Sequence, residues 1–285
     1  MPPARPSTKS GPRGRSRRTP IITLLTDFGL KDGNVGAMKG VILGIAPQAR
    51  LVDLSHLAGP QDVRQGAWIL GRAGPYFPEG TIHLAVVDPG VGTERRPIAA
   101  RLGGQLFVGP DNGLMTRLLE TAESERRPTA FVRLDRPELW LPQVSDVFHG
   151  RDIFAPVAAY LANGAPLESV GSPLADPVRL NLPRPVTVAG GLRGVVEHID
   201  HFGNVRTNIQ RADCGRQAPL AVRIGATQVN AFVRTFGERP AGELIALFGS
   251  SGDLVLAVVN GNAAQRLGAK VGDEVEVRLG QRDPG

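Results

Sequence analysis

The chain of 285 residues is long enough to bury a sizeable core and suggests two domains more than one. With 41% hydrophobic and 21% charged residues it has the composition of a soluble globular protein, and its longest apolar runs are far too short to span a bilayer. The formal charge of +6 arises in residues 1–20, where Arg5, Lys9, Arg13, Arg15, Arg17 and Arg18 face no acid; the rest of the chain is formally neutral, so a nucleic-acid partner would rest on a tail alone and is not expected.

Residues 1–19 lack apolar periodicity and are expected to be a disordered basic tail. No apolar segment of a secretory signal follows them. Ordered sequence begins at Pro20. Residues 21–25 form an apolar, β-branched run, expected to be a buried strand, that ends in Thr-Asp-Phe-Gly (26–29). Val35, Met38, Val41, Ile42 and Ile45 mark one face of a helix. A second strand is expected at 51–54, a helix at 62–70, and a buried strand at 81–87 running into Asp-Pro-Gly-Val-Gly (88–92). Residues 98–102 and 105–108 read as a hairpin around Gly103 and Gly104. Asp111 is a candidate cap for a helix bearing Leu114, Met115, Leu118 and Leu119, and a further helix is expected over 151–161. Alternating strands and helices over 20–171 predict an α/β domain with a mainly parallel sheet. The Pro-rich stretch 172–190 reads as a linker. Short strand runs at 192–199, 204–209, 219–224, 227–233, 244–248, 254–259 and 273–279 then predict a smaller C-terminal β-barrel domain over 191–285.

In an open α/β sheet, ligands gather at the carboxyl ends of the strands. Three polar, glycine-containing turns fall at such ends: 26–29, 88–92 and 109–113. Asp27 and Asp88 each directly follow an apolar strand, as ligand-binding carboxylates or as turn and cap residues. The glycines make neither a dinucleotide fingerprint nor a phosphate loop. His149, at the start of a helix in FHGRDIFAP (148–156), would be held neutral by the helix dipole, suited to accepting or polarising; a structural histidine is the alternative. Arg95 and Arg96 follow the 88–92 turn. No G-x-S-x-G serine motif is present, and His198 and His201 lack a third metal ligand at a telling spacing. The single cysteine, Cys214, excludes an internal disulfide and fits a reducing, cytoplasmic compartment. These residues alone point to a small-molecule enzyme with an Asp/Arg/His site.

At TDFGLKDGNVGAMKG, VVDPGVGTERR, GPDNG, FHGRDIFAP and HIDHFGNVRTN, the chain resembles the adenosine-forming S-adenosyl-L-methionine hydrolases, also called SAM hydroxide adenosyltransferases, relatives of the fluorinase and chlorinase. The likeness covers about residues 20–280. It implies an α/β N-terminal domain, a β-barrel C-terminal domain, and a homotrimer with substrate bound between subunits. The implied reaction is attack of water or hydroxide on the 5′ carbon, giving adenosine and L-methionine. No metal and no cofactor is implied, S-adenosyl-L-methionine being the substrate. The hydrolases' Asp-Arg-His set matches Asp88, Arg95 and His149, where the halogenases carry Tyr, Thr and Tyr. Gly150 stands where the fluorinase has a halide-binding Ser. Asp27 matches the carboxylate that takes both ribose hydroxyls, and Asp32 lies in the loop after it. Asp200 and Asn204 match residues holding the methionine head, with Phe202 as an apolar wall. Ser250, Ser251, Val258 and Asn260 match the stretch that meets adenine. Gln61 departs from the pattern, since relatives often place an aromatic there. Two other readings stay open: a chlorinase-like halogenase, and an adenosine-nucleoside-binding protein without turnover.

Overall fold

The computed structural model describes residues 19–280, so the expected basic tail lies outside the described residues apart from its last position. Two compact units divide at Arg179/Leu180.

The first unit is built on seven strands: β1 (Ile21–Thr26), β2 (Arg50–Ser55), β3 (Ile82–Val86), β4 (Pro97–Leu102), β5 (Gln105–Pro110), β6 (Thr129–Arg133) and β7 (Ser172–Pro173). They lie in the order β2-β1-β3-β5-β4-β6-β7. The pairs β1–β2, β1–β3 and β3–β5 are parallel, while β4–β5, β4–β6 and β6–β7 are antiparallel. The expected mainly parallel sheet is therefore its centre, and the expected hairpin is β4–β5. Four helices cover it: α1 (Asn34–Ile45), α2 (Val63–Ala73), α3 (Thr116–Ser124) and α4 (Ala155–Ala162).

Strand alternation separates the two faces. Ile22 and Leu24 of β1, with Ile82, Leu84 and Val86 of β3, share one apolar core with Met38 and Ile42 of α1 and Val157, Ala158 and Leu161 of α4. On the other face, Gly66 of α2 packs against Val87 and Leu114, and Gly74 against Leu118 and His83. Asp62 caps α2, its side chain accepting from the Gln65 amide at 2.9 Å.

Asp111 has a different role from the expected one. Helix α3 begins at Thr116 with no side-chain cap, and the Asp111 carboxylate instead accepts from Arg96 Nε at 2.8 Å and from the Val178 amide at 2.7 Å. Both partners of the arginine–carboxylate pair are ionised, whereas a cap bond to a backbone amide has a charge on one side only. The Pro-rich stretch is also put to use on both sides. Ser172 and Pro173 form the edge strand β7, and residues 186–188 pair with the second unit's sheet.

The second unit contains β8 (Val186–Val188), β9 (Gly191–Ile199), β10 (Val205–Gln210), β11 (Pro219–Ile224), β12 (Thr227–Val229), β13 (Leu244–Phe248), β14 (Asp253–Val258) and β15 (Glu274–Leu279), with α5 (Ala263–Leu267). The strands run β12-β11-β15-β9-β10-β14-β13, with β8 beside β9, and every pairing between them is antiparallel. A bridge from Phe232, just past β12, to Ala246 of β13 brings the two ends together, so the sheet is nearly closed, as a barrel requires. Leu192, Val196, Val205, Ile209, Val222, Leu254, Leu256, Val275 and Val277 fill it. No helix of the described residues is long and apolar enough to cross a membrane.

Candidate active site

Because β1, β3 and β5 run parallel, the turns that follow them open on one edge of the first unit's sheet. Chain order reverses between β1 and β3, and a crevice at that switch is the usual ligand position of an open sheet. Asp27 follows β1 and Asp88 follows β3, so the two carboxylates flank it. The third turn is tied to the second, since Asn112 Nδ2 donates to the Val87 carbonyl at 2.8 Å.

Arg95 returns from the 88–92 turn and forks onto Asp88. Its Nε donates to Asp88 Oδ1 at 3.0 Å and its Nη2 to Oδ2. Both side chains are nearly out of solvent, at 7% and 5% exposure. Nη2 also lies 3.1 Å from His149 Nδ1. A guanidinium only donates, so Nδ1 is the acceptor and the proton of the neutral ring sits on Nε2. Burial, and after it the charge of Arg95, lowers the His149 pKa below the ordinary histidine value, so the ring is neutral at pH 7. Arg95 Cζ stands 5.3 Å from the centre of the Phe154 ring. Nη1 of Arg95 is buried with no hydrogen-bond partner among the described residues.

His149 precedes a π-helical turn, Gly150–Phe154, that leads into α4, which agrees with its expected place at a helix start. Two devices bring it to Arg95. Gly92 has φ +75°, and a Cβ there would stand 2.3 Å from the Asp146 carbonyl oxygen, so only glycine lets the 88–92 turn approach segment 145–149 this closely. Asp152, fully buried, accepts from the Ser145 amide at 2.9 Å and from Arg151 Nε at 2.6 Å, which anchors that segment. Gly150 is crowded as well: a Cβ would meet Met38 Sδ at 3.3 Å and Phe28 Cζ at 3.4 Å. Phe28 and Phe148 stack edge to face at 5.7 Å.

The remaining candidates fall into three places. In the first unit, Asp27 Oδ2 accepts from the Gln61 amide at 2.7 Å, and Asp32 is exposed in the loop before α1. Arg96, adjacent to Arg95, is drawn off to Asp111 and Asp176. In the second unit, Asp200, Phe202, Asn204, Val258 and Asn260 line one open cleft of about 540 Å³, together with Arg206 and Phe236. Asp200 also organises its own turn. Oδ1 accepts from the Phe202 and Asn204 amides, both at 3.0 Å, and Oδ2 from Asn204 Nδ2 at 3.0 Å. Ser250 and Ser251 do not join this cleft. They sit in the turn before β14, about 20 Å along that strand from Val258 and Asn260.

Sequence reasoning did not single out Phe28, Phe148 and Phe154 as walls of the site. A phenylalanine next to a glycine-containing turn reads as ordinary core, and the edge-to-face packing depends on long-range contact. Among the described residues, no group of three His, Cys, Asp or Glu side chains stands ready to hold a metal ion.

Comparisons with known proteins cover most of the chain. Two family models match: the SAM hydroxide adenosyltransferase N-terminal domain over residues 22–171 and the corresponding C-terminal domain over 194–276. The (R)-S-adenosyl-L-methionine hydrolase of Salinispora tropica is 45% identical over 268 residues, covering 92% of this chain and 99% of the relative. That of Thermus thermophilus is 44% identical, covering 90% and 98%. A crystal structure of a conserved protein from Thermotoga maritima superposes with a TM-score of 0.83 at 39% identity, covering 90% of this chain and 99% of that one. Proteins named fluorinase are more distant, at 32–34% identity. Both halves of the chain, in order and over most of its length, thus place it in the SAM hydroxide adenosyltransferase family.

Proposed function

We propose that this chain hydrolyses S-adenosyl-L-methionine to adenosine and L-methionine. The observation that carries the reading is the cluster of Asp88, Arg95 and His149 with one buried, unpartnered N–H of Arg95 beside it. The fork to Asp88 makes a nearly neutral pair and holds the guanidinium rigid. Arg95 Nη1 then has a donor free for the oxygen of a water. His149 presents Nε2–H as a second donor. Two fixed donors favour the hydroxide form of that water without reorganisation.

The displacement is in line. The water oxygen bonds to the 5′ carbon, the carbon–sulfur bond breaks, and its electron pair stays on sulfur as neutral methionine. The water gives up one proton, and in this scheme Asp88 is the acceptor assigned to it. The sulfonium is already an activated leaving group, so this scheme calls on no metal and no cofactor. What the protein supplies is alignment and electrostatics.

Asp27 is the ribose-binding carboxylate in this reading, with Asp32 beside it. Asp200 and Asn204 take the amino-acid head, Phe202 supplies a wall, and Ser250, Ser251, Val258 and Asn260 meet adenine. Because Ser250 and Ser251 lie about 20 Å along β14 from Val258 and Asn260, a single adenine ring cannot meet both pairs of one chain, and within this reading the two pairs belong to different subunits' sites or only one of them contacts the base. A cytoplasmic homotrimer with the substrate between subunits belongs to the same reading. In this reading a neighbouring subunit would cover Leu30, Leu57 and Val147 of the first unit and Phe202 of the second, all largely exposed in the single chain. Gly150 itself offers no side-chain hydroxyl to bind a halide, which agrees with hydrolysis in this reading. The test is to incubate the protein with S-adenosyl-L-methionine and excess chloride and identify products by mass spectrometry. Adenosine and methionine are expected; 5′-chloro-5′-deoxyadenosine would establish the halogenase, and unchanged substrate a binding protein.

A further inference from the structure

The turn that carries Asp27 is clasped by residues 55–62, the loop between β2 and α2. The Gly29 amide donates to the His56 carbonyl at 2.8 Å. The Gln61 amide donates to Asp27 Oδ2 at 2.7 Å, from a left-handed backbone with φ 63°. Between these two, Thr26 Oγ1 and His56 Nδ1 meet at 2.9 Å, with both residues buried.

The hydrogens of this contact can be assigned. Thr26 Oγ1 accepts from the Phe28 amide at 3.2 Å. Its own proton can then turn to Nδ1, and with Nδ1 accepting, the ring proton of His56 sits on Nε2, the nitrogen that faces Asp53. Nε2 lies 3.1 Å from Asp53 Oδ1, and Lys39 Nζ donates to Asp53 Oδ2 at 2.6 Å. Burial works against the charge of Asp53, but Lys39 and His56 outweigh it and hold the carboxyl below its ordinary value. Polar contacts run from Lys39 through Asp53, His56 and Thr26 to the Phe28 amide, with His56 Nε2 close to Asp53 Oδ1 but out of line for a hydrogen bond. A buried imidazole is costly unless it is paired, and an apolar side chain could fill the same space without that cost. The contacts His56 makes lead to the Asp27 turn.

The geometry points to His56 as a positioning residue for Asp27: through Thr26 it fixes the 26–29 turn so that the Asp27 carboxylate faces the two hydroxyls of an adenosyl ribose. This rests on the proposed reading of Asp27. A carboxylate that must meet two adjacent hydroxyls is sensitive to small rotations, because hydrogen bonds weaken steeply off line.

The test compares binding of adenosine and 2′-deoxyadenosine by titration calorimetry in the full chain and in His56→Ala, His56→Asn and Thr26→Val. The deoxynucleoside lacks one of the hydroxyls that Asp27 would meet. The unaltered chain is expected to prefer adenosine by about ten-fold, the worth of one hydrogen bond to a charged group. His56→Ala and Thr26→Val should cut that preference to about three-fold or less by misplacing the carboxylate. His56→Asn, whose side-chain amide stands about where Nδ1 does, should restore most of it. A merely structural role would weaken both nucleosides alike and leave the ratio unmoved, which overturns the proposal, as does an unchanged preference in His56→Ala. The readout is binding, so it is separate from the hydrolytic reading: that reading fails if no adenosine is released, whatever the ratio.

Discussion

Arg95→Lys separates charge from geometry at the centre of the site. Arg95 holds both oxygens of Asp88 through Nε and Nη2, reaches His149 Nδ1 with Nη2, and keeps Nη1 buried without a partner. A lysine ammonium carries one nitrogen on a flexible stem. It can stay paired with Asp88, so the buried carboxylate is not left alone and the fold should lose only about 1–2 kcal/mol, the worth of one or two hydrogen bonds. It cannot at the same time span Asp88, reach His149 and present a fixed donor to water. Losing one pre-aligned donor to a developing charge costs about 100-fold to 1,000-fold in turnover, or roughly 3–4 kcal/mol. The assay is adenosine release at saturating S-adenosyl-L-methionine, followed by chromatography and paired with urea denaturation of the same variant. A kcat lower by about 100-fold, with the fold retained, is expected. Turnover within about three-fold of the parent would mean that positive charge alone suffices and that Nη1 has no part in the reaction.

Three further outcomes follow from the same coordinates. Asp88→Ala and His149→Ala should each lower kcat by roughly ten-fold to 100-fold while adenosine still binds, measured by steady-state kinetics and calorimetry; near-normal turnover in both would contradict their roles. Gly92→Ala puts a methyl group 2.3 Å from the Asp146 carbonyl oxygen at φ +75°. It should cost about 2–4 kcal/mol in a denaturant titration and depress turnover by pulling His149 from Arg95. Burial of His83 lowers its pKa from 6.5 to about 4 in the folded state. The unfolded chain therefore takes up the proton first as pH falls, so the stability His83 contributes is complete above about 6.5 and lost on the way down to about 4. The loss reaches about 3 kcal/mol at the lower end, and His83→Asn should show a shallower decline in stability over that window.

Much of the fold is legible in the chain because its strands carry strong local signals. The apolar, β-branched runs before Asp27 and Asp88 become β1 and β3, and the regularly spaced runs after residue 190 become barrel strands within a residue or so at each end, except 227–233, where the strand stops at Val229 and only Phe232 makes a further bridge. Strand β6, Thr129–Arg133, escaped notice because it is short, follows two arginines and a proline, and is half-buried over most of its length. Helix α5 has only five residues and depends on the Asn262 cap rather than on any apolar period. The π-helical turn after His149 has no sequence signature, since helical periodicity assumes 3.6 residues per turn. Within the site, the sequence pointed to Asp88, Arg95 and His149 but not to how they meet. That depends on Gly92 clearing the Asp146 carbonyl and on Asp152 pinning the loop, both contacts between residues far apart in sequence. Asp111 illustrates the converse: a local capping signal gave way to a distant arginine.

The account's central claim is that water attacks the 5′ carbon of the adenosyl group beside Asp88, Arg95 and His149. The most direct measurement is turnover of S-adenosyl-L-methionine in water enriched in oxygen-18, with mass spectrometry of both products. The account predicts one heavy oxygen in adenosine, on the 5′ carbon, none in methionine, and no labelled product from Arg95→Lys above about one per cent of the parent rate. Label in methionine, or adenosine without label, would contradict it.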